Sequence, residues 1–464
     1  MRSDTLMIEA NLISRLDRIP MNKSILGIVV LLAWCWVMEA FDIGMISQVV
    51  LVLRKIWNLD ANTLGLLGSC STAGVVIGTV SLGYLSDKYG RKKILLWGTF
   101  VFTFFTLIGS LMENLAWIIT MRFLSGLGAG VVFPLPYLMI SELAPAKKRA
   151  VLVCICNAIL ACAYLLPTLA GSWAIKTFSL DYAWRVPFII GGIPIVTILI
   201  LNKYLPESPR WLMKRGRHDE VRKLVERFEK SAGVEHDDTF IDEIVLNSLK
   251  KMAEEGCVNN NASWKNLFIP PYLSRTLVSW GMFSAGLITW YVIMVYVPTI
   301  LTTYGFDPSK SLVLGGIMAA VSGGGALLMG PLADKYGRKS IWSLYVIISV
   351  VCLFAMTLIT SMNTLLFVGA VMSFFGAGIM PVCKLYIAEQ YPTELRSLGT
   401  GLGEAVSRII GGVLATYYLA YFVSVGGVNA VFIFMAVTFL IAVIALLVWG
   451  RETAGRNVED ISSC

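Results

Sequence analysis

The chain has 464 residues, of which 56% are hydrophobic and only 15% charged, and its mean hydropathy is +0.72. Soluble domains carry roughly 25% charged residues, so too little polar surface is available here to clothe a water-soluble chain of this length, and a lipid-facing exterior is implied. The net charge of +8 does not signal nucleic acid, because Lys and Arg gather in short runs between apolar stretches, the pattern that orients membrane helices.

A helix needs about 20 apolar residues to cross the hydrocarbon core. Twelve such stretches are predicted, at 24–50, 63–85, 94–112, 115–138, 151–174, 185–204, 274–300, 312–332, 341–360, 364–388, 398–422 and 428–449. The chain is polar through Lys23, so no cleavable signal is expected and the first membrane helix should direct insertion. Lys88, Arg91, Lys92 and Lys93 fall between helices 2 and 3, Lys147, Lys148 and Arg149 between 4 and 5, and Lys335, Arg338 and Lys339 between 8 and 9. The loops between 3 and 4, 9 and 10, and 11 and 12 carry no Lys or Arg. The basic loops, the charged segment from Pro206 to Leu273 and both termini are therefore expected on the cytoplasmic side of a plasma (inner) membrane. That segment holds an amphipathic stretch, Glu220 to Lys230, and both histidines, His218 and His236, read as solvated surface. Asn261-Ala-Ser263 matches a glycosylation acceptor that would be silent there. The nine cysteines have neither metal-site nor disulfide-framework spacing, so no metal and no cofactor is expected.

One element occurs twice. Gly83-Tyr-Leu-Ser-Asp87-Lys-Tyr-Gly90-Arg91-Lys92 returns as Gly330-Pro-Leu-Ala-Asp334-Lys-Tyr-Gly337-Arg338-Lys339, at an offset of 247. The same offset carries Pro134 to Pro381, Glu142 to Glu389, Pro145 to Pro392 and Arg149 to Arg396. A repeat held over this distance without a gap marks two homologous halves. The expected fold is an all-α membrane protein of twelve transmembrane helices in two six-helix bundles, residues 1–204 and 274–464, joined by a cytoplasmic linker, 205–273.

The repeated G-x-L-x-D-x-x-G-R-K element resembles the signature of the major facilitator superfamily, over nearly the whole chain. Phe41-Asp42-Ile-Gly-Met-Ile-Ser47, Arg122-Phe-Leu-Ser-Gly126-Leu-Gly128-Ala-Gly130, Ser141-Glu142-Leu-Ala-Pro145 and Pro206-Glu207-Ser-Pro209-Arg210 are similar to its sugar-porter and metabolite–proton symporter branch. The ending Arg451-Glu452-Thr-Ala-Gly455-Arg456 is similar to that branch's closing P-E-T-x-G-R, with Arg451 in place of the proline. The resemblance implies alternating access, and it gives the loop residues Asp87, Arg91, Glu142 and Arg149, with Asp334, Arg338, Glu389 and Arg396, the role of a cytoplasmic gate. Asp87 is expected to accept from the N-terminal amides of a neighbouring helix and to pair with Arg91. Static stapling of the loops is the alternative.

Ionisable residues at membrane depth are costly and mark function. Glu39, Asp42, Arg122, Lys384 and Arg408 lie within apolar stretches, with Glu404 shallower. The resemblance places helices 1 and 4 side by side, with Asp42 near Arg122, either as a proton switch or as a permanent ion pair. Glu39 shares a face with Asp42, and either could carry the proton. Pro381-Val-Cys-Lys384 matches the segment where sugar porters present a Trp to the sugar, and here a cation stands instead. Helices 5 and 7 contain no Gln, although sugar porters use glutamines there. Glu404 and Arg408, at i, i+4, either neutralise each other or leave Arg408 near midplane for a carboxylate, as in a stretch that resembles bacterial niacin and organic-anion transporters. Trp290, Tyr291, Tyr164 and Tyr137 are candidates to stack on a ring, with Trp34, Trp36 and Tyr386 also within cavity-forming helices.

These readings give a monomeric secondary transporter, not an enzyme, that moves a small organic anion (an aromatic or other monocarboxylate, nicotinate-like) with protons. Its partners are the substrate, protons and the lipid bilayer. The alternatives are a sugar or other neutral-metabolite proton symporter and a non-transporting nutrient receptor.

Overall fold

A computed structural model describes the chain except residues 1, 144–148, 236, 238, 244–245, 247–263, 271, 360, 392 and 454–464. His236 and the Asn261-Ala-Ser263 sequon therefore lie outside the described residues. Among those described, the regular elements are all helices. Large apolar side chains such as Val80, Leu199, Phe367 and Val448 remain more than half exposed, as a surface solvated by lipid requires.

The chain begins with a helix absent from the sequence expectations, Arg2–Arg18. The first membrane helix runs Lys23–Gly44, capped by the Asn22 side chain, and resumes as Ile46–Trp57 after Met45. The second and third are Ala61–Tyr89 and Arg91–Gly109. The fourth is Leu115–Val132 with Pro134–Leu143, and the fifth is Arg149–Ala163 with Leu165–Thr177. The sixth is assembled from Leu180–Ala183, Arg185–Gly192 and Thr197–Tyr204 through the 3-10 turn Ile193–Val196. The linker forms Pro209–Lys214 and His218–Ala232, slightly longer than the amphipathic stretch read from sequence.

In the second half the seventh helix is Tyr272–Tyr291, a π-helical turn Val292–Tyr296, and Val297–Thr303. The eighth and ninth are Pro308–Tyr336 and Arg338–Leu358. The tenth is Met362–Gly376 with Met380–Glu389. The eleventh starts as Thr393–Arg408 and passes through a second π turn, Ile409–Leu414. Ala415–Trp449 then carries it into the twelfth across a kink at Gly427, whose φ of 67° only glycine adopts readily. Among the described residues, ten helices are long and apolar enough to cross a membrane. The other two of the twelve are the seventh and the eleventh, the pair interrupted by π turns, and the eleventh also carries Glu404 and Arg408.

The second and fourth helices approach closely because glycines face each other. A Cβ on Gly74 or Gly78 would overlap the carbonyls of Phe123 or Leu127, and one on Gly126 or Gly130 would overlap those of Ser71 or Val75. Small residues allow such backbone contact where lipid supplies no hydrophobic force between helices. The two halves meet through several contacts near the ends remote from the basic loops. Ser172 and Ser309 hydroxyls are 2.6 Å apart, Gly316 backs onto Thr168, and Gly65 onto Tyr417.

Replacing Gly126 by Val would force the second and fourth helices apart. The expected loss is about 1–3 kcal/mol, read as a lower melting temperature in detergent. Gly281→Ala, at a position with open space around it, should leave the melting temperature unchanged.

Candidate functional site

Between the halves lies a cavity of about 730 Å³. The first half contributes Glu39, Ile43, Phe133, Asn157 and Tyr164, and the second contributes Phe283, Trp290, Tyr291, Lys384 and Arg408. Several of these side chains sit beside breaks in their helices. Phe133 is the break in the fourth helix: Pro134 has no amide to give the Gly130 carbonyl, and the Thr79 hydroxyl of the second helix supplies that donor at 3.0 Å. Arg408 directly precedes the π turn of the eleventh helix, and Tyr291 that of the seventh. Such bulges are frequent at functional sites.

The two cavity-lining cations of the second half, Lys384 and Arg408, rest on one ring of the first. Lys384 Nζ is 4.5 Å from the centre of the Phe133 ring and 4.7 Å from that of Tyr137, and the Arg408 guanidinium is 4.6 Å from the Phe133 ring. Cation–π contact is favourable at these distances and stronger where water is excluded. The platform is held from behind. Trp36 Nε1 donates to the Phe133 carbonyl (2.9 Å), Trp36 stacks obliquely on Tyr137 at 4.0 Å, and the Tyr137 hydroxyl donates to Asn157 Oδ1 (2.7 Å). Arg408, 5% exposed, also donates through Nη2 to Glu404 Oε1 at 3.0 Å, so the self-neutralising pair and the cavity-facing guanidinium are both present. The Tyr291 hydroxyl accepts from Thr72 of the opposite half at 3.1 Å.

The two acids of the first helix part company. Asp42 is fully buried; its Oδ1 accepts from Arg122 Nη1 at 2.8 Å and from Thr106 Oγ1 at 2.6 Å, while Arg122 Nη2 bonds the Asp42 carbonyl at 3.0 Å. Glu39, 1% exposed, lines the cavity and neither of its carboxylate oxygens has a hydrogen-bond partner. Arg122 instead faces a separate space of about 260 Å³ beside Thr72 and Tyr291.

At the end bearing the basic loops, the repeat builds the same arrangement twice, with one change from the expected donors and acceptors. The Asp87 side chain is largely exposed and 3.9 Å from Arg91; it does not cap the neighbouring helix. Glu207 does, its Oε1 accepting from the amides of Arg91 (2.9 Å) and Lys92 (3.0 Å). In the second half Glu452 accepts from the amides of Arg338 (2.8 Å) and Lys339 (3.1 Å). The reason is geometric: Gly90 and Gly337 turn the chain with φ near +100°, which aims the new helix's first amides at the segment after the sixth or twelfth helix. The signal was available, since both glutamates open a Glu-Ser or Glu-Thr pair. Arg91 then pairs with Glu142 at 3.1 Å and Arg338 with Glu389 at 3.0 Å, while Asp334 lies 3.5 Å from Arg338. Ser208 also bonds Glu142. Each of these ion pairs joins segments of one half. The side chains of Arg149 and Arg396 lie outside the described residues.

Tyr164 and Trp290 line the cavity and meet edge to face at 4.7 Å. Tyr137 lies beneath Lys384 as part of the platform. Trp34 is exposed, Trp36 supports the platform, and Tyr386 bonds the Arg451 backbone. Phe133, Asn157 and Thr106 carry no signal of their own in the sequence, while Glu207 and Glu452 stand in motifs quoted above that do not reveal their capping role.

The family description Sugar (and other) transporter matches residues 28–464. The niacin transporter NiaP of Acinetobacter baylyi (strain ATCC 33305 / BD413 / ADP1) is 27% identical over 452 residues, 97% of this chain and 99% of its own. The benzoate transport protein of the same organism is 26% identical over 394 residues, 83% of this chain and 81% of its own. The solved structure of the proton:xylose symporter XylE bound to 6-bromo-6-deoxy-D-glucose superposes with a TM-score of 0.74 at 20% identity, over 95% of this chain and 99% of that one.

Burial pushes the Glu142 carboxyl above its ordinary range against the opposing pull of Arg91, and burial does the same to Glu389 against its pairing with Arg338. Each therefore contributes most in acid and loses that contribution as pH rises through its raised value. A Glu142→Gln, Glu389→Gln variant should match the wild-type melting temperature in acid and gain on it as pH rises past the ordinary glutamate range, measured by differential scanning fluorimetry across pH.

Proposed function

The chain belongs to the Sugar (and other) transporter family, within the major facilitator superfamily, and from that premise we propose that it is a proton-coupled symporter of a small organic anion, an aromatic or other monocarboxylate. The reading rests chiefly on one observation: Lys384 and Arg408 both face the cavity and both rest on the Phe133 ring. An arginine fork and a lysine ammonium suit a carboxylate. Tyr164, Trp290 and Phe283 offer apolar and aromatic surface to the rest of the molecule. Two relatives whose names specify niacin and benzoate support the substrate class.

In this reading the carboxylate draws the two cations from the aromatic platform, and the halves rock about the filled site. Glu207 and Glu452, with the Arg91–Glu142 and Arg338–Glu389 pairs, keep each half rigid as it moves. The basic loops face the cytoplasm, both termini with them, in an inner membrane. One acid of the first helix, Glu39 or the Arg122-paired Asp42, carries the proton that is coupled to transport. The protein works as a monomer.

Uptake of labelled benzoate, nicotinate and xylose into proteoliposomes tests this. Carboxylate uptake should rise with an inward proton gradient, and Arg408→Ala and Lys384→Ala should each lower its efficiency about 30-fold or more, as expected for about 2 kcal/mol lost from a desolvated charge contact. Xylose uptake insensitive to both variants would favour a sugar symporter. Saturable carboxylate binding without uptake would make the protein a receptor.

A further inference from the structure

Resting on that anion-symport reading, we infer that Glu39, rather than its neighbour Asp42, is the site where the transported proton sits, and that one proton enters per monocarboxylate. The geometry separates the two acids. Asp42 is closed off by Arg122 and Thr106, and no part of it lines the substrate cavity. Glu39 lies one helical turn earlier on the same helix, is 1% exposed, lines the cavity, and has no hydrogen-bond donor on either oxygen. With no donor, the ionised form of this buried carboxylate leans on the positive charges of Arg408 and Lys384, and when a substrate takes up that charge a proton on Glu39 removes the cost.

The surrounding charges fix the count. Lys384 and Arg408 stand against Glu39 and Glu404, with Asp42 on the first helix as the remaining carboxylate nearby. The other titratable groups that interact with Glu39 are the hydroxyls of Tyr137, Tyr164 and Tyr291. Glu404 already neutralises Arg408, and Arg122 neutralises Asp42. That leaves Lys384, held on two aromatic faces, and Glu39, held on none, as the open positive and negative charges. Empty, the cavity is balanced across these two. When a carboxylate arrives at Lys384, the positive charge is taken and Glu39 is left as an excess negative charge. A hydronium ion from the side to which the cavity is open gives its proton to a Glu39 oxygen, an O–H bond forms, and water remains. When the carboxylate leaves on the other side, Lys384 is released, Glu39 ionises and the proton passes to water there. The substrate-loaded and empty sites then carry the same net charge, and the cycle moves no net charge.

Proteoliposomes loaded with a pH-sensitive dye test this with labelled benzoate as probe. Wild type should take up one proton per benzoate and give no current on a supported membrane when benzoate is added. Glu39→Gln should lose gradient-driven accumulation at least 10-fold, and its benzoate exchange at equal pH on both sides should become independent of pH. Asp42→Asn, if folded, should retain proton uptake with whatever benzoate it carries. Gradient-driven accumulation by Glu39→Gln with the wild-type proton ratio overturns the inference. So does a benzoate-dependent current in wild type, a result that needs no variant and holds if Glu39→Gln fails to fold. Failure of the anion reading itself is separate and visible first: wild type would then exchange neither labelled benzoate nor labelled nicotinate.

Discussion

A charge placed at membrane depth must be neutralised by something other than water, and the arrangement of this protein follows from how each one is met. Arg122 is met by Asp42 and Thr106, and Arg408 by Glu404. Lys384 is met by the faces of Phe133 and Tyr137. Glu39 alone among these groups has no donor. The compensation is uneven, and the unevenness is concentrated at the cavity between the halves. A fully paired set would be a static core; a set with one loosely held cation and one unpaired carboxylate can exchange its partners for a ligand and a proton.

The backbone serves the same end. Several helices are interrupted at or beside a cavity residue, at Phe133, at Tyr164, at Ala377, and at the turns that follow Tyr291 and Arg408. Irregular backbone is tolerated at this depth only where protein or a cavity satisfies it, and the Thr79 bond to Gly130 is one such compensation. The breaks aim side chains across the interface rather than along a helix face. At the basic end, by contrast, the loops are stapled within each half. At that end the N-terminal helix is clasped to the linker by the buried Arg15–Glu229 pair at 2.7 Å. Each half is thus tied together by ion pairs at its charged loops and interrupted in its backbone beside the cavity.

Much of this was legible in the sequence. Long apolar runs gave the spans, and the offset repeat gave the duplication. The charged residues worth attention were visible because charge is rare in such stretches. The Asp42–Arg122 contact came from resemblance, since nothing in spacing relates residues on different helices. What escaped notice was chemistry carried by ordinary residues. Phe133 reads as one more apolar side chain, and only the break at Pro134 and the approach of two cations reveal its position. Glu207 and Glu452 stand in recognisable motifs, but Asp87 and Asp334 lie closer in sequence to the helix starts that the two glutamates cap. Glu39 and Asp42 looked equivalent because they share a helical face; which of them meets the cavity depends on how the third and fourth helices pack against the first.

The central claim is that a substrate carboxylate takes Lys384 away from its aromatic platform. Solid-state NMR of reconstituted protein, with benzoate labelled at its carboxyl carbon and nitrogen-labelled lysine, measures this distance directly. The account predicts a carboxyl carbon to Lys384 Nζ separation of about 3.5–4 Å, the value set by an ordinary charge-assisted hydrogen bond, and its disappearance in Lys384→Ala. Bound benzoate with no dipolar coupling to that nitrogen would contradict it.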